Sequence, residues 1–532
     1  MGDHARDTVP TVSKRMYYLF MGNVASTLIL AVTAIAVGRL LGPGGYGLYT
    51  LALVMPGYVS SVGLLGLPFA ATRFPAKYSA EGDRKRAVSY IHSLTFAEGL
   101  IGVVGSLALL PFVGFLAVRV FDRPSMAYLI PVALLSVLGQ LLYQTATAGF
   151  QGLNRMDRSA QLQVAQAVVK LSVSLGLVAV GFGVTGAVVG YTAAFLVSGV
   201  VAAGMIVVMS GRLLPRGLRG DIGGALRYST PVFLSNLLGG VVPAYLVTLL
   251  ARFSTDIQIG GYGASQNLVA LLSLFIYPIS TVLFPHFSGI ATDKRNLKNA
   301  YETSVKYSTI FIVPVAMVMI SLATPLASAV YGRAYTFAGS FLLILVIPYL
   351  FAGIGSLAQI AFLNGVGETR KTLVVGLAGS MVTFIFGAIL APIFSVYGVL
   401  AASVVGNAVS YLVGAKMVNG ILGKTGMTSR TWRVYIVSAV AALLTYPVVY
   451  LPLHPIVILV IGAVVYFALL VPLLSASGAV NNADVEEIEG FFSEMGAASK
   501  LFHFVVMYYG LFRRNRHKGS PVDRDEQAEK GD

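Results

Sequence analysis

Gly44-Gly45-Tyr46-Gly47 joins two long apolar runs, Leu19–Val37 and Leu48–Leu67, and the same four residue types return as Gly260-Gly261-Tyr262-Gly263 between two more. The offset is 216 residues. A second pair of segments agrees: Phe150-Gln151-Gly152-Leu153-Asn154-Arg155 is matched by Phe362-Leu363-Asn364-Gly365-Val366-Gly367, and Gly186 and Gly398 each follow 36 residues later. Chance recurrence among 58 glycines would not place both pairs at equivalent points in the succession of apolar runs. Six runs are therefore duplicated as six more.

Runs of this length recur from Leu19 to Leu473, and each approaches the ~20 residues that cross ~30 Å of hydrocarbon as a helix. With 56% hydrophobic and 11% charged residues, against roughly 25% charged in soluble domains, the chain cannot cover itself with polar surface. Lipid leaves backbone N–H and C=O groups without partners, so such runs must be helices; a barrel would show alternating segments of about 10 residues. The expected fold class is all-α integral membrane with about fourteen transmembrane helices.

Charge orders these spans. Of the 37 Lys and Arg residues, 31 fall in alternate loops and the two termini, the opposite loops hold only Arg39, Arg119, Arg123, Arg252 and Arg333, and Lys170 lies within a span. By the positive-inside rule the basic side, with both termini, is cytoplasmic, and the protein is expected in the cytoplasmic membrane. The net charge of +15 thus reports topology, and no nucleic-acid partner is expected. The first run lacks a cleavage site and reads as a retained span. The chain has no cysteine, which excludes disulfides, thiol nucleophiles and thiolate metal sites.

An even number of spans per copy gives parallel repeats, with the pseudo-axis along the membrane normal and the substrate path between the bundles. The expected division is a cytoplasmic N-terminus (1–18), a six-helix lobe (19–210), a linker (211–228), a second six-helix lobe (229–415), a loop (416–433), two additional helices (434–474) and a tail (475–532). In the tail, the acidic start at 482–494 and the apolar stretch 501–512 before Arg513-Arg514 read as an amphipathic helix, on the leaflet or capping the bundle; disorder is expected from about Ser520.

Val37-Gly38-Arg39-Leu40-Leu41-Gly42-Pro43-Gly44-Gly45-Tyr46-Gly47-Leu48-Tyr49 resembles the first-loop pattern of polysaccharide transporter proteins, in the multidrug/oligosaccharidyl-lipid/polysaccharide exporter superfamily. Tyr228-Ser229-Thr230-Pro231, Phe284-Pro285-His286-Phe287-Ser288 and Gly365-Val366-Gly367-Glu368-Thr369-Arg370 also look like the family, and the likeness runs from about Arg15 to Leu473. The resemblance implies a V-shaped pair of six-helix lobes that flips a polyprenyl-(di)phosphate-linked oligosaccharide to the outer leaflet by alternating access, in polysaccharide biosynthesis for the cell envelope. Fourteen spans favour the lipid-linked branches over the twelve-span multidrug antiporters of the superfamily.

Such a protein needs cations that hold a phosphate within the membrane rather than a catalytic group. Glu98 and Lys170 alone sit clearly inside spans, about 12 and 15 Å from the basic side at 1.5 Å per residue. Matched depth predicts a pair, read either as structural glue or as a site in which Lys170 binds phosphate. Arg39 and Arg252 end the first span of each repeat, where snorkelling to headgroups competes with substrate binding, and Arg73 lies near the basic end of the second span, where a plain positive-inside anchor is the commoner use. Asn236, Gln140, Gln144, Gln163 and Gln166 could bond sugar hydroxyls, though bonds between helices are the commoner use, and they rank below the charges.

The six histidines are scattered without ligand spacing, so no metal or other cofactor is expected. A membrane glycosyltransferase or ligase would need carboxylates on a sizeable loop, but the loops opposite the basic side are short and carry only Asp122 and Asp256. A cation-coupled multidrug exporter would favour acidic cavity residues, for which Glu98 is the one candidate. The expected partners are the lipid-linked glycan and membrane lipids, with H+ or Na+ as candidate coupling ion and glycan-assembly enzymes as candidate protein partners.

Overall fold

Apolar runs that must satisfy their own backbone fold here as helices, and among the described residues no strand occurs. The structure, a computed structural model, describes residues 9–215, 218–272, 287, 294–425, 429–480 and 484. The first half holds α1 (Val9–Ala52), α2 (Val54–Gly63), α3 (Leu67–Ala80), α4 (Arg84–Leu109), α5 (Met126–Gly152), α6 (Met156–Leu177), α7 (Gly183–Ser210), α8 (Leu218–Phe253) and α9 (Asp256–Ala270). The second half holds α10 (Lys294–Ser321), α11 (Ala323–Tyr331), α12 (Ala338–Val346), α13 (Gln359–Gly365), α14 (Thr369–Phe394), α15 (Val396–Leu422), α16 (Ser429–Thr445) and α17 (Pro455–Ser477).

Among the described residues, 9 continuous stretches are long and apolar enough to cross a membrane, or up to 10 if the bent pair Ala338–Ile354 and Gln359–Gly365 is one span. Two of the 9, Tyr18–Gly63 and Met156–Ser210, run to 46 and 55 residues, twice what one crossing requires. Each contains a turn at glycine with positive φ: Gly42 at +65° in the first, Gly181 at +103° and Gly183 at +52° in the second. A residue with a Cβ reaches that region only at a cost, which fixes the turn between two spans. Every expected span except the eighth falls on these helices. The eighth, Asn267–Phe284, lies mostly outside the described residues, as does the expected helix and tail after 482.

The chain forms two compact units. The first comprises Met1–Leu268, Tyr331–Phe341 and Leu373–Ser410. Its core includes Ile91 of α4, Ala146 and Phe150 of α5, Leu162 of α6, and Ala202 and Ile206 of α7. Small residues let the backbones close: a Cβ on Gly199 of α7 would stand 2.8 Å from the Cα of Gly139 on α5. The second unit comprises Val269–Val330, Leu342–Thr372 and Tyr411–Asp532. There α16 and α17 pack on α10: Ile312, Val313, Val437, Ala441, Tyr466 and Leu470 are buried together, and the Tyr466 hydroxyl donates to the Pro314 carbonyl at 2.9 Å. Lys306 of α10 is ion-paired with the buried Asp484.

The duplicated glycines meet within the first unit, at the end opposite the basic loops. A Cβ on Gly47 would stand 3.0 Å from the Gly260 nitrogen, and one on Gly260 would stand 2.8 Å from the Pro43 carbonyl carbon. The two copies of the motif thus pack backbone to backbone, with their tyrosines buried. Asn267 Nδ2 donates to the Tyr46 hydroxyl at 2.8 Å, and Gln266 Nε2 to the Tyr262 hydroxyl at 2.7 Å. Beside them the C-terminal carbonyls of α8, which have no intrahelical donors, are taken up by neighbours: Arg123 donates to Ala251 and Ser254, and the Ser395 hydroxyl donates to Phe253. Both carboxylates of the charge-poor loops are used there, since Arg123 is ion-paired with Asp256, and Arg252 with Asp122 at 3.3 Å.

Candidate functional site

Polar side chains at helical spacing on three helices of the first unit converge on one groove of about 380 Å³. On α1, Asn23, Ser26, Thr27 and Leu30 lie at intervals of three and four and so share a face. Tyr143, Gln144, Thr147, Ala148 and Gln151 do the same on α5, and Gln163 and Gln166 face them from α6. Four glutamines therefore line a space that no charged side chain lines. Part of their capacity is spent internally: Gln151 Nε2 donates to the Ser159 hydroxyl at 3.1 Å, and Ser26 to the Asn23 carbonyl at 3.0 Å. The rest is free. Gln163 Oε1 and Thr147 Oγ1 are buried without a hydrogen-bond partner. Amide and hydroxyl groups that both donate and accept, set in a groove of this size, suit a polyhydroxylated ligand.

Lys170 follows Gln163 and Gln166 on the same face of α6, at i+7 and i+4. Its Nζ lies 5.1 Å from the centroid of the Tyr191 ring. Tyr191 packs edge-on against Phe195, and Phe195 against Tyr143 of the groove. Among the described residues no carboxylate pairs with Lys170, and the cation rests on an aromatic face.

The expected pair is not formed. Glu98 is fully buried on α4, neither carboxylate oxygen has a hydrogen-bond partner, and the adjoining Thr145 hydroxyl lies outside hydrogen-bond geometry. Depth along the membrane was matched, but direction about the helix axis was not: α4 turns Glu98 toward α5, whereas α6 turns Lys170 toward α7.

The other candidates are dispersed. Arg39 is exposed near the end of the first span. Arg252 belongs to the ion pair with Asp122, half exposed. Arg73 stacks 4.3 Å above the Tyr228 ring at the basic end. Gln140 is buried and bonds Ser136 at 2.9 Å within its own helix. The side chain of Asn236 on α8 lies outside the described residues. Among the described residues, no group of three or more His, Asp or Glu side chains could hold a metal ion. Gln144, Gln163 and Gln166, ranked below the charges by sequence, thus form the one cluster of candidates the fold assembles, and Asn23, Thr147 and Gln151 join them unannounced. Their signal was available as i, i+3, i+4 polar periodicity inside apolar helices.

Residues 12–291 match a family described as polysaccharide biosynthesis protein. An uncharacterized membrane protein of Methanocaldococcus jannaschii is 23% identical over 257 residues, covering 47% of this chain and 50% of that protein, so the chain spans about half the length of this relative. The succinoglycan biosynthesis transport protein ExoT of Rhizobium meliloti is 21% identical over 390 residues, 70% of this chain and 76% of the relative. Among solved structures, the lipid II flippase MurJ in an inward closed conformation superimposes with a TM-score of 0.70 at 14% identity, covering 85% of this chain and 97% of its own. An inward-facing multidrug resistance MATE family transporter of the MOP superfamily gives 0.60 at 19% identity, with 74% and 95% covered. The likenesses to solved structures show the fold expected from the sequence, that of a multi-pass membrane protein, helical throughout the described residues.

Proposed function

The chain belongs to the polysaccharide biosynthesis protein family, and from that premise we propose that it is a flippase. It carries a polyprenyl-(di)phosphate-linked oligosaccharide from the cytoplasmic to the outer leaflet by alternating access. The observation that carries the reading is the glutamine-lined groove with Lys170 one turn beyond it, uncompensated by any carboxylate among the described residues. The basic end is cytoplasmic, so the groove lies in the cytoplasmic half of the helices. Sugar hydroxyls bond Gln144, Gln163 and Gln166, Lys170 attracts the phosphate, and the lipid tail stays in hydrocarbon.

Translocation breaks no bond, so no acid, base or nucleophile is required and the protein is not an enzyme. Two negative charges moved outward through the full field of an inside-negative membrane gain about 4.6 kcal/mol at 100 mV, which supplies direction without a nucleotide. H+ or Na+ coupling and docking of glycan-assembly enzymes are compatible additions. The packed Gly47 and Gly260 backbones close the outer end of this unit, as a protein accepting cargo from the cytoplasmic side requires.

The buried Glu98 favours one competing reading, a cation-coupled multidrug exporter. Purified protein in vesicles separates the two: wild type should translocate a lipid-linked oligosaccharide, and Lys170→Ala at equal protein level should not. Export of a cationic dye, with no movement of lipid-linked sugar, would refute the flippase reading.

A further inference from the structure

Three separate loops bring five cations to one cavity of about 1150 Å³ at the basic end of the first unit. Arg84, Lys85 and Arg86 open α4, Arg155 stands at the turn from α5 to α6, and Arg212 follows α7. Asp83 is the one carboxylate that lines it, and its side chain caps α4 by accepting the Arg86 backbone N–H at 2.9 Å. The Arg86 guanidinium stacks over the Tyr78 ring at 4.5 Å. Arg84, Lys85, Arg155 and Arg212 have no ion-pair partner among the described residues, whereas Lys77 and Arg158 nearby are paired with Glu81 and Asp157. Among the described residues, positive charge is gathered here with Asp83 as the one carboxylate beside it.

A second space begins where the first ends. His92 lines both, and Leu213, just after α7, lines the second with it. From there an apolar groove of about 300 Å³ follows α4 past Phe96, Leu100 and Val103, walled by Leu142 of α5 and Ala203 of α7. The 11 residue-to-residue steps from His92 to Val103 rise about 16 Å. Phe96, Leu100 and Val103 are 37%, 57% and 40% exposed, so this face of α4 looks onto hydrocarbon. The groove shares no lining residue with the glutamine-lined one.

We propose that the basic cavity and the apolar groove together form a binding site for an anionic glycerophospholipid of the adjoining leaflet, with the phosphate among Arg84, Arg155 and Arg212 and one acyl chain along α4. A basic pocket between membrane helices recognises a lipid phosphate through these charges, and the contiguous groove supplies the apolar half that a free anion would not need. Its lipid-facing position favours a resident phospholipid over the transported glycolipid.

The test uses the full chain in neutral detergent, titrated with phosphatidylglycerol, phosphatidylcholine or a polyprenyl diphosphate while its thermal unfolding is followed. Phosphatidylglycerol should raise the unfolding temperature, less so at high salt, and phosphatidylcholine should not. Arg84→Gln with Arg212→Gln should weaken the phosphatidylglycerol response on the order of thirtyfold in concentration, the loss expected for two basic contacts. Ala203→Phe, which fills the groove and keeps every charge, should weaken it as well. An equal response to phosphatidylcholine, or a full response in either variant, would overturn the site. A response to polyprenyl diphosphate alone would assign it to the glycolipid and overturn it as a phospholipid site.

Discussion

Gly260→Ala should prise the charge-poor end of the first unit open. The added Cβ would run into the Pro43 carbonyl oxygen and stand 2.8 Å from the Pro43 carbonyl carbon and 3.0 Å from the Gly47 nitrogen, whereas non-bonded carbon atoms ordinarily stand about 3.5–4.0 Å apart. Both neighbours are backbone, so neither can swing aside, and the two segments must separate by more than roughly 1 Å. Overpacking of this kind costs about 1–3 kcal/mol, and only the closed arrangement bears it, so the open state should gain roughly 5- to 150-fold in relative population. Ser265, fully buried next to the motif, reports the change: as Ser265→Cys it is isosteric, and it is the sole thiol in a cysteine-free chain. Its labelling by an impermeant maleimide added outside should accelerate by that factor in the Gly260→Ala background, with transport reduced at equal protein level. Gly44→Ala is the control, because its Cβ would meet only Ile257 at 3.9 Å. Equal labelling in all three backgrounds, or an equal effect of Gly44→Ala, would refute the reasoning.

Three further outcomes are expected. Arg123→Ala strands Asp256 and two α8 carbonyls, a loss of about 1–3 kcal/mol, so it should lower the unfolding temperature and speed labelling at Ser265→Cys; unchanged values would mean that this arginine holds nothing. The double substitution Glu98→Lys with Lys170→Glu should restore neither protein level nor transport to singly substituted protein, because the two side chains are not partners; rescue of both would show that they pair. Gln163→Leu and Gln166→Leu should each cut lipid-linked sugar transport several-fold without lowering protein level, and normal transport by both would remove the groove from the substrate path.

Much of the chain could be read in one dimension. Apolar run length, the duplication and the sorting of Lys and Arg to alternate loops depend on segment length and order, which sequence carries directly, and the described helices and the likeness in fold agree with its helical, membrane-spanning part. The repeat was legible as a duplication, but its glycines had a reason that sequence does not carry: the copies pack on one another at Gly47 and Gly260.

The candidate site was legible in its residue types and not in its assembly. A rise of 1.5 Å per residue gives depth from counting alone, which is why Glu98 and Lys170 looked like partners. Azimuth about a helix axis is set by neighbours that are distant in sequence, and only the packing of α4, α5, α6 and α7 turned Glu98 toward Thr145 and Lys170 onto Tyr191. Packing of α1 with α5 and α6 brought scattered glutamines of modest individual weight to one groove, and the approach of the α8–α9 turn to the turn before α5 set Asp122 and Asp256 against Arg252 and Arg123. Sequence alone determined that this protein lives in lipid, which end of its helices is basic and that it is built twice. Tertiary structure alone decided which polar groups face one another, because the direction of a side chain around a helix becomes fixed only when another helix packs against it.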